Sequence, residues 1–288
     1  MRTSQVERDG GTIAYEVHGE GPLVVLAHGM GENRRSFRHL IPLLVEAGYR
    51  VASVDVRGHG DSSAHWPSYA PAEVGSDLLA VVRTLGGPAT LVGSSSSAAA
   101  VVFAAGDAPE LVNGIVQIGA LVAQPRPNPA MRLAQAAVLR SPRLFGLFHR
   151  TLFPGGRPAD DAAYRKELVA GLRGRMAAVR GVIAPVAPHW TARAADVRQP
   201  VLVLMGAKDP DFADPGGRGS GRPPPLRHRR SPHDRRLRPL PARRPAGGHR
   251  CPARRVPGGD HAWLGPGSPR RRWSARRPAS PTRSVTSG

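Results

Sequence analysis

Four consecutive serines, Ser94 to Ser97, follow Gly93 at the end of an apolar run and open an alanine-rich stretch. A serine hydroxyl becomes a useful nucleophile when its Oγ is presented on a tight, accessible turn with a base in reach. The pattern Gly-x-Ser-x-Gly between a strand and a helix supplies such a turn, because the positions two before and two after the nucleophile must be small. Gly93-Ser94-Ser95-Ser96-Ser97 follows this pattern with Ser97 in place of the second glycine, and the spacing from Gly93 selects Ser95. Ser94 and Ser96 are the alternative nucleophiles. A purely structural alternative is a serine-rich turn in which Ser95 or Ser96 caps the following helix.

Three further stretches carry polar or glycine turns directly after apolar runs. Ala27-His28-Gly29-Met30-Gly31 follows the run over 23–27, and its glycines allow the backbone to approach another group closely. Asp55-Val56-Arg57-Gly58-His59-Gly60-Asp61-Ser62 follows the run over 51–56, with His59 read as a loop hydrogen-bonder rather than a catalyst. The run over 201–205 leads into Gly206-Ala207-Lys208-Asp209.

These signals, in this order, resemble the α/β-hydrolase superfamily, in its serine-hydrolase branch with a helical lid. The resemblance implies roles residue by residue. Ser95 is the nucleophile, Gly93 the small residue of its turn, and the Met30 and Ser96 N–H groups the donors of an oxyanion hole supported by His28 and Gly29. Asp209 is the acid that orients the catalytic histidine, with Asp211 as runner-up and Asp214 as a surface turn residue. Serine rather than aspartate at position 95 argues against the epoxide-hydrolase and dehalogenase branches and favours ester, lactone, thioester or carbon–carbon bond hydrolysis. No cofactor or metal is implied.

The elements that must position these residues alternate in a βαβ rhythm, which predicts a mostly parallel sheet flanked by helices. Buried parallel strands are expected over 23–27, 51–56, 90–92, 114–118 and 201–205, and an antiparallel edge strand over 12–18. Helices are expected over 36–46, 71–85 and 96–108. Residues 120–199 break the rhythm with helical patches over 131–139, 161–172 and 176–183, and the strand pattern resumes at Val201; this predicts a helical lid inserted into the sheet. The organisation is thus core over 1–119, lid over 120–199, core again over 200–215, and a tail over 216–288. Leu144, Phe145, Leu147, Phe148, Phe153 and Trp190 within the lid suggest a small-molecule substrate with an apolar acyl or alcohol group.

The formal charge of +20 would suit a nucleic-acid binder, but about +17 of it falls after position 215, where roughly 19 Arg face two Asp. That tail is rich in Arg, Pro and Gly and lacks apolar periodicity, so it is expected to be disordered. It also lacks Lys, repeats and any RNA-binding module, so no dedicated nucleic-acid partner is expected, although arginine clusters can bind phosphates without sequence preference. Cys251 is the single cysteine and excludes an internal disulfide. With neither a secretory signal nor an apolar run of membrane-spanning length, a cytoplasmic location is expected.

The triad histidine does not appear where the resemblance puts it, some 25 to 30 residues after Asp209. His233, within an Arg-rich run, and His261, in Gly259-Asp260-His261-Ala262-Trp263, are the weak in-frame alternatives. A sharper reading is that the chain beyond about Pro215 is translated in a shifted frame. Read from the second base of each codon, Arg238-Pro239-Leu240-Pro241-Ala242-Arg243 permits Gly-His-Tyr-Pro-His-Ala, about 29 residues after Asp209. A non-catalytic binding protein on the same fold is the remaining alternative. The shifted frame requires that the codons for Pro239 and Leu240 contain an out-of-frame CAC or CAT; sequencing the coding DNA checks it, and neither triplet being present removes it.

Overall fold

A computed structural model describes residues 3–120, 129–153, 156–183 and 193–206. These belong to one of two units in the chain, Met1–Arg236; the second, Leu237–Gly288, lies outside the described residues, as do Asp209, His233, His261 and the tail expected to be disordered.

The sheet has seven strands: β1 (Ser4–Arg8), β2 (Gly11–His18), β3 (Leu23–Ala27), β4 (Arg50–Val54), β5 (Ala89–Ser94), β6 (Val112–Ile118) and β7 (Val201–Leu204). Their order is β1-β2-β4-β3-β5-β6-β7. β1 and β2 pair antiparallel, β2 joins β4 antiparallel, and every pairing from β4 to β7 is parallel. β2 was expected at the edge, but β1 lies outside it. The five residues of β1, SQVER, hold a single apolar side chain, Val6, so the sequence signals little beyond the turn at Gly10 and Gly11.

Period-two alternation with apolar residues in both phases buries the central strands on both faces. Val25 and Ala27 of β3 join Val54 and Leu91 under helices α2 (Pro71–Thr84) and α3 (Ser97–Asp107). Val24 and Leu26 point to the opposite face, where Val51, Val92 and Phe37 pack with α1 (Leu40–Glu46). The helix expected over 36–46 is in fact two pieces, a 3-10 turn at Arg34–Phe37 and then α1. Pro42, third in α1, lacks an N–H and its ring would clash with the carbonyl four residues back, which limits how far the α-helix can extend N-terminally.

Between β6 and β7 lie α4 (Pro129–Val138), α5 (Pro142–His149), α6 (Asp161–Gly171) and α7 (Met176–Ile183). They build a separate apolar cluster of Phe145, Tyr164, Leu168, Leu172, Met176 and Val179, against which Met30 packs. α5 was not anticipated, although Ser141 at its N-cap, accepting from Leu144 N–H at 3.4 Å, and Pro142 at its first position are a recognisable start.

β7 departs from expectation in burial. Its apolar run suggested a covered strand, but Leu202 and Leu204 are 51% and 45% exposed. β7 pairs with β6 along one edge, and among the described residues no helix packs across it.

The glycine turn after β4 is tied to α2 by a buried ion pair. Arg57 donates to Asp77 through Nε (2.7 Å) and Nη2 (2.9 Å), Arg8 adds a bond to Asp77 at 3.0 Å, and Arg57 lies over the Trp66 ring. Removing one partner strands a buried charge, which typically costs about 3–5 kcal/mol. Asp77→Ala is therefore expected to lose stability of that order in urea unfolding, well beyond the effect of an exposed substitution such as Asp9→Ala.

Candidate active site

β3 and β5 are parallel neighbours, with Ala27 opposite Gly93, so the turns that follow them leave the sheet side by side. This brings the loop His28-Gly29-Met30-Gly31-Glu32 against the serine turn. A side chain built on Gly29 would begin 3.1 Å from Ser95 Cβ and 3.4 Å from Glu32 Oε2.

Ser95 has φ +51°, the only positive φ outside glycine among the described residues. Such a conformation costs of order 1–3 kcal/mol and persists only where its surroundings impose it. They do so through two backbone bonds, Ser95 N–H to Ile118 O at 2.8 Å and Ala98 N–H to Ser95 O at 3.0 Å. Gly93 is required by packing, since a Cβ there would run into the Ser97 carbonyl. Ser97, read from the sequence as a departure from the motif, has a structural role of its own. Its buried Oγ donates to His28 O at 2.6 Å and stitches the two turns together. The strained strand-to-helix turn sits in a chain whose sequence matches the alpha/beta hydrolase fold family over residues 22–213.

The chain belongs to the alpha/beta hydrolase fold family.

Within the family, its sequence is 45% identical to epoxide hydrolase B of Mycobacterium tuberculosis over 69 residues, which is 23% of this chain and 19% of that protein. The chain thus spans about a fifth of that relative's length. Its structure resembles an esterase from Rhodococcus sp. ECU1013 with a TM-score of 0.62 and 26% identity, over 74% of this chain and 83% of the esterase. It also shares the fold of a bromoperoxidase from Bacillus anthracis, with a TM-score of 0.63 and 24% identity, over 72% and 82% of the two chains.

The surroundings of the serine turn are polar, buried and mostly satisfied. His28 Nε2 accepts from Val56 N–H at 3.0 Å, and its Nδ1 lies 2.7 Å from Gly29 O. His59 repeats the arrangement, accepting from Gly31 N–H at 3.1 Å with Nδ1 3.0 Å from Arg57 O. A nitrogen that accepts cannot also carry a proton, so both rings are neutral Nδ1–H tautomers. Burial lowers the His28 pKa; burial and then the neighbouring His28 push His59 down to about 3. This places His59 in a structural role, as expected. The Met30 and Ser96 N–H groups, by contrast, find no acceptor among the described residues.

Of the predicted site residues, Ser95, Gly93, Ser96, His28, Gly29 and Met30 converge. Asp209 and His261 lie outside the described residues. Sequence reasoning missed Glu32, three residues beyond Gly29. Its Oε2 accepts from Gly29 N–H at 3.2 Å, while burial pushes its carboxyl up and is outweighed by His149, His28 and that N–H, which hold it below the usual carboxylate range.

Groups with depressed pKa values stabilise the fold fully above their unfolded value and lose that contribution as pH falls toward the folded one. For His59 the window runs from about 6.5 down to about 3. Thermal stability is expected to fall steadily with acidification through this range, and His59→Gln, which keeps an acceptor for Gly31 N–H, is expected to reduce the slope by about one proton, ~1.4 kcal/mol per pH unit. A pH series of melting curves on both chains measures it.

Proposed function

We propose that this polypeptide is built as a serine hydrolase that cleaves an ester or related acyl bond through an acyl-enzyme at Ser95. The observation that carries the reading is Ser95 at φ +51° beside Gly29, the one residue other than glycine among those described to adopt a positive φ. The carbonyl carbon of the substrate is attacked by Ser95 Oγ, whose proton passes to a histidine oriented by Asp209. The developing oxyanion is held by the Met30 and Ser96 N–H groups. The histidine then protonates the leaving group, and water releases the acyl group by the reverse sequence. The helices between β6 and β7 act as a lid that sets substrate size.

The similarity to epoxide hydrolase B raises a second reading, epoxide opening. Serine at the nucleophile position favours acyl transfer over it, since the resemblance pairs epoxide chemistry with an aspartate there.

In this exact chain the activity is impaired, because the triad histidine is absent from the reading frame. The family match ending at residue 213, with the Arg/Pro/Gly composition beginning at 216, supports that account. Without a base, turnover falls by a factor on the order of 10⁶ in a well-studied triad. A fluorophosphonate probe is expected to label Ser95 slowly or not at all in this chain and rapidly in a frame-corrected one, with Ser95→Ala abolishing labelling in both. Substantial ester hydrolysis by the chain as it stands, lost on Ser95→Ala, would instead assign the base to His233 or His261.

A further inference from the structure

The helical insertion reaches the Gly29–Glu32 turn through two contacts on one helix. Phe145 of α5 packs so tightly over Gly31, which has φ +71°, that a Cβ at Gly31 would collide with its ring. One turn further along the same helix, His149 points at Glu32, with Nε2 3.5 Å from Oε1. His149 is 1% exposed, enclosed by the rings of Phe153 and Tyr164 at 5.3 and 5.9 Å, and neither of its ring nitrogens has a hydrogen-bond partner among the described residues. An imidazole sealed among aromatic rings loses its hydration, so a carboxylate neighbour weighs heavily in its energetics. That neighbour, Glu32, spends its other oxygen on Gly29 N–H, beside Ser95. α5, His149, Glu32 and the Gly29 amide therefore form a continuous polar line from the insertion to the serine turn.

We propose that His149 is a positioning residue: by holding Glu32 it lets the seated helical insertion fix the backbone of the Gly29–Glu32 turn, including the Met30 N–H. Its relevance to catalysis rests on the hydrolase reading above, but the mechanical coupling does not. The position of the insertion and the geometry of the turn are then linked, and linkage runs in both directions. Loosening α5 loosens the turn, and removing the Glu32 carboxylate loosens the C-terminal turn of α5. Glu32 and His149 are spaced 117 positions apart in the chain, so neither was conspicuous as a pair.

Hydrogen exchange followed by mass spectrometry on the full chain tests this. His149→Phe is expected to speed exchange of the 28–33 segment about tenfold, with β3 and β5 unchanged and melting still cooperative; His149→Gln, which keeps a donor, restores slow exchange. Adding His149→Phe to Glu32→Ala should produce no further acceleration of 28–33. Unchanged exchange over 28–33 in His149→Phe, or effects of the two substitutions that simply multiply, would overturn the proposal. If His149→Phe does not fold, Glu32→Ala decides alone: faster exchange at both 28–33 and 146–149 supports the link, and a rise confined to 28–33 refutes it. Failure of Ser95 to react with a fluorophosphonate in a frame-corrected chain would count against the hydrolase reading and leave these exchange results as they are.

Discussion

Parallel pairing of β3 with β5 in a single register is the constraint on which the site depends. With Ala27 opposite Gly93, two chains running in the same direction end together, and the turns they release are forced into contact. A slip of one residue would turn the Val24 and Leu26 face to where Val25 and Ala27 now lie, so the two-sided core enforces the register over the whole strand. The energy that holds Ser95 in the left-handed region thus comes from apolar burial far from the serine. It is transmitted through the Ile118 carbonyl on one side and the Ser97 to His28 bond on the other.

Polar groups near the turns divide into two kinds. His28 and His59 act as neutral struts, each accepting one backbone N–H and donating toward one carbonyl, and so join the loops after β3 and β4 without placing a charge in the interior. Arg57 and Asp77 are charged and buried, and they are tolerable only because the carboxylate is met by two guanidinium groups. The serine turn is bordered by the loop that carries the neutral His28 and by one carboxylate, Glu32, whose Oε2 is taken up by Gly29 N–H.

The central fold was legible because it rests on local signals. Apolar, β-branched runs ending in glycine turns marked β3, β4, β5 and β6, and Gly93 with Ser95 marked the elbow, since two small residues at fixed spacing are a steric requirement readable one residue at a time. β1 was not legible, because a short, mostly polar strand gains its stability from pairing that the sequence does not state. The break between Arg34–Phe37 and α1 turned on one proline inside an otherwise periodic stretch. Glu32 and His149 escaped notice for a different reason: a lone glutamate and a lone histidine carry no pattern, and only the packing of α5 onto the Gly31 turn gives them meaning. Burial of β7 was misjudged because an apolar run records what a strand would prefer to touch, and not whether anything lies there.

β7 also sets an order in which the sheet comes apart. Its four residues are held by β6 alone among their described neighbours, and its side chains contribute little to either apolar cluster, so separating it from β6 releases little buried surface. β3 and β5, at the centre, can open only with both clusters. The molecule should therefore have a gradient of protection across its width, with amides of β7 exchanging through local peeling and those of β3 only through global unfolding. The edge that β7 forms is the least anchored side of the sheet, whereas Ser95 follows β5 at its most protected part.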